Sequence, residues 1–254
     1  MSEAVEKKQS AFDKFENLLN TYLGPVAEKM DKQRHLSAVK KAMIAMTPLL
    51  LIGSFCLIPA AIPNMIGETN PISVWILNNT QYFDLAYNVS MGLMSVFVSV
   101  VTAYHLAKSY ELDAPGSMSM ALVAFLLLGM EMDEAGGIAL RGMGSKGLFV
   151  AMVASLLAVE VYRWCKKRHF TIKMPDTVPD FISSSFEIIP VTAIVIGLFL
   201  GIRVLCQGVF GIMPNEIFSI ILAPLVGSMD SPLAVTFYHI LRCFIFFFGI
   251  HPSV

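Results

Sequence analysis

Ionisable residues within long apolar runs are the first candidates for chemistry in this sequence. If such runs span a membrane, each ionised side chain costs about 2.5–3.5 kcal/mol on insertion scales, so it usually belongs to a transport pathway or to a paired site. Glu160 precedes Arg163 by one helical turn, which predicts that the two side chains pair. His239 and Arg242 have the same spacing. We favour an internal polar network for them, with ligand contact as the alternative.

Asp230 and His251 have the chemistry that a hydroxyl-rich ligand requires. Asp230 lies in the segment 227–232 (GSMDSP), where an aspartate either caps a turn or contacts a substrate. His251 lies in the segment 249–252 (GIHP). Its imidazole both donates and accepts hydrogen bonds and titrates near neutral pH. We therefore treat both residues as candidate substrate-binding residues.

Several other kinds of chemistry are disfavoured by the motifs that the sequence lacks. It contains no GxxxxGK[ST], GxSxG or HExxH motif. These motifs are typical of P-loop ATPases, of serine hydrolases with a nucleophile elbow and of zinc proteases, respectively, so none of these enzymes is indicated. The four cysteines lie far apart without a CxxC pair, which argues against a disulfide or a zinc site. A net charge of −1 offers nucleic acid no basic field. We predict no catalytic residue, metal or cofactor in this chain.

The composition predicts an all-α, polytopic transmembrane protein. Hydrophobic residues make up 56% of the 254 residues and charged residues 15%, whereas soluble domains carry about 25% charged residues. Residues 1–31 are polar and lack the apolar core of a signal peptide. The first hydrophobic segment is therefore expected to stay in the protein as an anchor.

Six helical segments are predicted over the first 210 residues. Residues 10–30 place apolar side chains at helical spacing, which predicts an amphipathic helix that Gly24-Pro25 ends. This helix lies either along the membrane surface or against a soluble neighbour. Five apolar stretches then have lengths suited to crossing about 30 Å of hydrocarbon, the third being short. The predicted spans are residues 42–63, 87–107, 117–130, 147–164 and 186–209.

The distribution of Lys and Arg agrees with a single orientation of these spans. Of the 18 such residues, eight lie in residues 1–41, one in the loop 108–116 and five in the loop 163–185. The loops 64–86 and 131–146 hold two between them. Positive residues accumulate on the cytoplasmic side of membrane proteins. The N-terminus is therefore predicted to be cytoplasmic.

Prolines interrupt the chain at short intervals after residue 210. Pro214, Pro224 and Pro232 leave the segment 215–223, which is too short to cross a bilayer. Proline removes a backbone donor, and freed backbone groups at membrane depth must face protein or a wet cavity. This predicts a re-entrant hairpin near a binding site, with a loop or a kinked span as the alternative. A further apolar helix is predicted over residues 233–250.

Several segments, by their order and spacing, carry a family resemblance. They are residues 33–41 (QRHLSAVKK) with 46–54 (MTPLLLIGS), 103–108 (AYHLAK), 144–150 (GSKGLFV) with 159–163 (VEVYR), 172–179 (IKMPDTVP) with 185–186 (SF), and 248–251 (FGIH). From about residue 18 to residue 251 the chain resembles the membrane-embedded IIC component of the phosphoenolpyruvate-dependent sugar phosphotransferase system. The branch that it resembles is the lactose, cellobiose and chitobiose family.

The resemblance implies a homodimeric permease in the lipid bilayer of a bacterial inner membrane. It would bind a disaccharide, cellobiose or a related β-disaccharide, and move it with a substrate domain. A phosphocysteine on the soluble IIB partner, which works with a IIA component, would then phosphorylate the 6-hydroxyl. The histidine of the family's Gly-Ile-His motif contributes to the sugar site and maps onto His251, although Pro252 here replaces the usual glycine. The complete complex would be a phosphotransferase, but this chain is expected to carry no phosphoryl group.

The predicted organisation has three parts. Residues 1–36 form a cytoplasmic amphipathic segment, residues 37–210 a transmembrane dimerisation domain, and residues 211–254 the first part of a substrate-binding domain. Family chains are longer, so the C-terminus is expected to be truncated and to lack the family's essential glutamate. Two rival functions remain. One is an ion-coupled secondary sugar transporter, for which Asp230 is the only loose candidate for a coupling site; the other is a non-transporting membrane remnant that only dimerises.

Overall fold

The computed structural model describes residues 24–132, 138–139, 142–172, 174–175, 177–217 and 235–240, together with Asn17, Thr21 and Ile220. The chain divides into two compact units, residues 1–37 and 38–254. In the first unit, helix α1 covers Gly24–Lys32. The prediction that Gly24-Pro25 ends a helix is wrong, because both residues are helical and the helix continues to Lys32.

Helices dominate the rest of the described chain. In order they are α2 (Arg34–Phe55), α3 (Ile58–Ile66), α4 (Pro71–Asn78), α5 (Thr80–Ser90), α6 (Met94–Ser109), α7 (Ala114–Gly129), α8 (Leu148–Lys167), α9 (Asp180–Glu187) and α10 (Ile189–Leu205). A 3₁₀ turn, Ser145–Gly147, precedes α8, and a π-helix, Cys206–Phe210, continues α10. Strands β1 (Glu131–Met132) and β2 (Ile138–Ala139) form a two-residue antiparallel ladder. The predicted all-α class is confirmed.

Four of the five predicted spans fall within helical stretches of suitable length. Among the described residues, the stretches that are long and apolar enough to cross a membrane are Arg34–Ile66, Thr80–Ser109, Ser145–Lys167 and Ser185–Phe210. Helix α7 is equally apolar in character but has 16 residues. Together these five segments cover the five predicted spans, which confirms a polytopic membrane protein. The predicted re-entrant hairpin lies mostly outside the described residues.

Two of the predicted loops contain helices, so these loop predictions are wrong in part. Within residues 64–84 the structure has α4 and the start of α5. Asn70 caps α4, its side chain accepting a hydrogen bond of 3.0 Å from the Ile72 amide, and Pro71 takes the first helical position. In the predicted loop 163–185, α9 begins directly after Pro179.

Helices α6, α7, α8 and α10 form the bundle that positions the polar groups described below. Helices α6, α7 and α8 pack pairwise on one another, and α10 packs on α7 and α8. Small residues on the contacting faces let helix backbones approach closely. On α7 these residues are Ala114, Gly116, Ser117, Ala121 and Ala124. Three large side chains, Phe125, Tyr162 and Phe199, are fully buried between the helices.

Contacts between helix termini define the two ends of this bundle. At one end, Tyr110 after α6 bonds to Glu160 in the second half of α8. At the opposite end, Arg203 of α10 bonds to Met130, directly after α7. The connections after α6 and after α8 thus share one end, as an alternating topology requires. We call this end the inner end and the opposite one the outer end, after the orientation that the Lys and Arg distribution predicts.

Candidate functional site

The two predicted substrate-binding residues, Asp230 and His251, lie outside the described residues, as does Arg242. His239 lies in a helical segment over residues 235–240, and its Nδ1 lies 2.9 Å from the Val235 carbonyl oxygen one turn earlier. These described contacts of His239 are local to its own helix. The polar network with Arg242 and the sugar-binding roles of Asp230 and His251 therefore stay predictions.

Glu160 is the centre of a polar cluster at the inner end. The Tyr110 hydroxyl donates to Glu160 Oε1 at 2.5 Å, and Arg163 Nη1 donates to Glu160 Oε2 at 3.2 Å. The Arg163 guanidinium carbon also lies 4.1 Å from the centre of the Tyr110 ring, in a cation–π contact. The predicted pairing of Glu160 with Arg163 is confirmed. The contribution of Tyr110 was not predicted, because no spacing rule connects residues 50 positions apart.

Three further side chains extend this cluster to the neighbouring helices. Asp113 caps α7, its Oδ2 accepting a hydrogen bond of 2.7 Å from the Gly116 amide. Lys166 Nζ lies 3.4 Å from Glu187 Oε1 and so links α8 to α9. Polar contacts thereby join the inner ends of α6 and α8 and link α8 to α9, whereas the Asp113 contact is local to α7. We call Tyr110, Asp113, Glu160, Arg163, Lys166 and Glu187 the inner-end cluster.

The described contacts of the inner-end cluster position helix ends. Glu160 accepts hydrogen bonds from two side chains, Asp113 accepts one from a backbone amide, and Glu187 pairs with a lysine. Within the described part of the chain, no group of three His, Cys, Asp or Glu side chains could hold a metal ion.

Arg203 holds the outer end of α7. It lies in the last turn of α10, within the apolar stretch Ser185–Phe210. Its Nη1 donates to the carbonyl oxygens of Leu127 at 2.8 Å and of Met130 at 2.7 Å. The last carbonyls of a helix lack intrahelical partners and carry the negative end of its dipole. The Arg203 guanidinium is therefore stabilised by hydrogen bonds to these carbonyls and by the negative end of the α7 dipole. The sequence held one signal for it, a lone cation in an apolar stretch of 26 residues.

The residues that follow the π-helix lie against the outer half of the bundle. Pro214 and Ile217 line an apolar cleft of about 200 Å³, whose other walls come from α7, α8 and α10. A Cβ built on Gly142 would lie 3.1 Å from Asn215 Nδ2, so the backbone at Gly142 approaches this side chain closely. Asn215 Oδ1 is buried without a hydrogen-bond partner among the residues that the structure describes. The start of the predicted re-entrant segment is thus packed on the bundle.

Comparison with known proteins gives consistent matches over most of the chain. Residues 40–254 match the family model described as "Phosphotransferase system, EIIC". The chain is 33% identical over 240 residues to the lactose-specific EIICB component of the PTS system of Lactococcus lactis subsp. lactis, which covers 91% of this chain and 41% of that protein. It is 33% identical over 246 residues to the cellobiose-specific EIIC component of Geobacillus stearothermophilus, covering 88% of this chain and 54% of that protein.

A solved structure is also similar. It is the crystal structure of the transporter ChbC, the IIC component from the N,N′-diacetylchitobiose-specific phosphotransferase system, with a TM-score of 0.69 and 27% sequence identity. The similarity covers 93% of this chain and 58% of that chain. The chain thus spans about half the length of the relatives that it matches.

Proposed function

The chain belongs to the EIIC family of the phosphotransferase system, and on that basis we propose that it acts in sugar uptake by group translocation. In this process a membrane component binds the sugar and a soluble partner phosphorylates it on entry. The proposed substrate is cellobiose or a related β-disaccharide. This choice is supported by relatives whose names specify lactose, cellobiose and N,N′-diacetylchitobiose.

The observation that carries the proposal is the family match over residues 40–254, which includes both the helical bundle and the segment after residue 210. The sequence has no GxxxxGK[ST] motif through which ATP would drive uptake. Phosphoryl transfer from a partner supplies that driving force in group translocation. The proposed partners are therefore a IIB protein with a phosphocysteine and the IIA protein that works with it.

Each part of the chain has a proposed role. Residues 1–36 lie on the cytoplasmic side, residues 37–210 anchor and dimerise the permease, and residues 211–254 begin the sugar-binding domain. His251 and Asp230 contact sugar hydroxyls. Because the phosphoryl group arrives from the partner, the permease contributes by orienting the 6-hydroxyl. No ionised nucleophile is then required from this chain.

Uptake of radiolabelled cellobiose tests this function. The host is a bacterial strain that lacks its own cellobiose and lactose permeases and contains a cellobiose-type IIA and IIB pair. Because the chain matches 54% of the cellobiose-specific relative from Geobacillus stearothermophilus, we compare the chain alone with the chain joined to the unmatched C-terminal part of that relative. We expect cellobiose 6-phosphate to accumulate with the joined form, and only when the IIB phosphocysteine is intact.

The rival functions give different results in the same cells. An ion-coupled transporter would accumulate unmodified cellobiose without IIB, and a protonophore would stop it. If the chain is a membrane remnant, neither the chain alone nor the joined form takes up sugar. Both forms should nevertheless be monodisperse and self-associate in detergent. Either result would refute group translocation by this chain.

Substitution of His251 tests its place in the sugar site. In the joined form, His251→Ala is expected to weaken cellobiose binding at least about tenfold, because a buried sugar hydroxyl would lose its hydrogen-bond partner. His239→Ala is the matched control, since the described bond of His239 is to its own helix. Binding is measured by calorimetry, and unchanged affinity would remove His251 from the site.

Asp230→Asn distinguishes a turn cap from a sugar contact at residue 230. Loss of a turn cap lowers thermal stability, whereas loss of a sugar contact lowers the affinity for cellobiose.

Cysteine labelling tests the proposed orientation. Lys167 is exposed at the inner end, and Lys146 is exposed next to α8 at the outer end. In a background without the native cysteines, a membrane-impermeant maleimide added to intact cells is expected to label Lys146→Cys. Lys167→Cys should react only after the cells are permeabilised, and the reverse pattern would overturn a cytoplasmic N-terminus.

A further inference from the structure

Helix α8 ends in a chain reversal at His169. The His169 amide donates to the Lys166 carbonyl at 3.2 Å, and the Phe170 amide donates to the Cys165 carbonyl at 2.9 Å. His169 has a φ of 58°, a left-handed conformation that favours glycine. These are the features of a Schellman motif, in which the second residue beyond the helix packs back onto its last turns. In α8 that residue is Phe170.

The reversal produces an exposed pair of aromatic rings. The Phe170 ring stacks on the Trp164 ring, with centroids 5.8 Å apart and planes 21° from parallel. The two residues are 54% and 51% exposed, so the pair faces away from the bundle. Trp164 also stands at the end of an exposed apolar stripe on α8 that includes Val153 and Leu157. The ring pair is therefore continuous with the face that α8 presents outside the bundle.

Two basic side chains, Lys167 and Arg168, follow Trp164 in the sequence next to this ring pair. Lys166 is paired with Glu187. Lys167 and Arg168 are exposed, and neither side chain makes a hydrogen bond or an ion pair with the residues that the structure describes. An anionic group at this position would thus meet two available cations next to an aromatic platform.

The apolar stripe has the length of one membrane leaflet. From Trp164 back to Val153, α8 rises about 16 Å at about 1.5 Å per residue, which is roughly half of the 30 Å hydrocarbon thickness. Val153 and Leu157 also line the apolar cleft of about 200 Å³. An acyl chain that begins at Trp164 would therefore run along Leu157 and enter this cleft. Tryptophan favours the headgroup level, and cytoplasmic Lys and Arg attract anionic lipids.

We propose that this surface binds an anionic phospholipid of the inner leaflet. Lys167 and Arg168 hold the headgroup phosphate, the Trp164–Phe170 pair lies at the level of the glycerol backbone, and one acyl chain follows α8 to the cleft. The site rests on the membrane orientation proposed above, but it is independent of sugar transport. A soluble partner protein is the competing occupant. The apolar stripe that leads from the rings along the spanning helix favours lipid.

Fluorescence quenching of Trp164 tests the site directly. The chain has two tryptophans, so Trp75→Phe leaves Trp164 as the sole reporter. The full chain with this substitution is placed in phosphatidylcholine nanodiscs that contain a fixed fraction of lipid brominated on its acyl chains, either phosphatidylglycerol or phosphatidylcholine. Because bromine quenches tryptophan only near contact, quenching reports occupancy. We expect a preference for phosphatidylglycerol of roughly fivefold for each free cation, from the attraction of one basic residue to an anionic surface.

Two sets of variants decide the outcome. Lys167→Gln combined with Arg168→Gln should abolish the preference while helix content stays unchanged. Lys146→Gln, which removes an exposed cation at the outer end, is the matched control and should keep it. Equal quenching by the two brominated lipids in the parent, or a preference that survives the double substitution, overturns the proposal.

Two additions identify a different occupant. If millimolar inorganic phosphate relieves the quenching by brominated phosphatidylglycerol, the cations bind a soluble anion and not a lipid. If a purified IIB protein shields Trp164 from aqueous iodide while lipid charge has no effect, the surface docks a protein. Either result overturns the lipid site, and neither bears on whether the chain transports sugar.

Discussion

Replacing Arg203 by methionine tests whether this cation holds the outer end of α7 in place. Methionine is a long, flexible and apolar side chain, so Arg203→Met largely preserves bulk while it removes both hydrogen bonds. The carbonyl oxygens of Leu127 and Met130, now bonded at 2.8 and 2.7 Å, would lose their donor. The Met130 amide, which donates to the Leu126 carbonyl at 2.9 Å, marks the helix end that should fray.

Two opposing terms set the size of the effect. A hydrogen bond from a charged donor contributes about 1.5–3 kcal/mol, so the loss of two costs about 3–6 kcal/mol. Removing a cation from an apolar membrane stretch recovers about 2.5–3.5 kcal/mol. The mid-range values, about 4.5 and about 3 kcal/mol, leave a net destabilisation of about 1.5 kcal/mol. Arg203→Lys should fall between the parent and Arg203→Met, because an ammonium keeps a positive charge near the carbonyls but lacks the planar fork of donors.

Two measurements check this prediction. Equilibrium unfolding in mixed detergent micelles gives the free energy of unfolding, and hydrogen exchange followed by mass spectrometry gives local protection. We expect protection at the Met130 amide to fall about tenfold, which corresponds to about 1.4 kcal/mol. Val204→Met is the matched control on the same turn, since Val204 is 60% exposed. If Arg203→Met unfolds like the parent and Met130 keeps its protection, Arg203 does not cap α7.

Two further predictions concern packing and polar contacts near the inner end. A Cβ on Gly116 would lie 2.5 Å from Ile188 Cδ1 and 2.6 Å from Asp113 Oδ2, the oxygen that caps α7, so Gly116→Ala is expected to displace the cap and to destabilise the chain by about 1–2 kcal/mol. Gly197→Ala, with no atom within 4 Å of its Cβ, should instead stabilise α10 by roughly 0.5–1 kcal/mol through helix propensity. If Gly116→Ala proved more stable than Gly197→Ala in unfolding measurements, the close packing at Gly116 would be contradicted. Tyr110→Phe removes the hydroxyl that donates to Glu160 at 2.5 Å and should cost about 1–2 kcal/mol. A double-mutant cycle with Glu160→Gln is expected to give a coupling of about 1 kcal/mol, and purely additive losses would show that the two side chains act independently.

The spanning helices and the alternation of inner and outer loops were predictable from the sequence. The first depends on the length of apolar runs and the second on the distribution of Lys and Arg along the chain. Some 20 consecutive apolar residues must form a helix in a bilayer, since every backbone group needs an internal partner there. The structure confirms this for the stretches 34–66, 80–109, 145–167 and 185–210. Glu160 and Arg163 were predictable for a related reason, because both lie on one helix at a spacing that brings their side chains together.

The short helices were harder to predict because their hydrophobicity does not distinguish them from loops. Helix α4 begins at the local signal Asn70-Pro71 and α9 directly after Pro179. Such capping signals are common in turns as well. The pair Gly24-Pro25 misled the prediction in a similar way, because both residues are helical although Gly-Pro is typical of turns. Only the backbone that follows each signal separates the two outcomes.

The sequence by itself thus determined the class of the protein, its spans, their alternation and the pairing within α8. The tertiary structure decided which helices meet and through which groups. Tyr110 bonds to a carboxylate 50 residues away, and Arg203 bonds to carbonyls 76 and 73 residues away. Every residue carries a backbone carbonyl, so no residue type marks the two that Arg203 contacts. Those carbonyls become available only because α7 stops after 16 residues and α10 packs beside its open end.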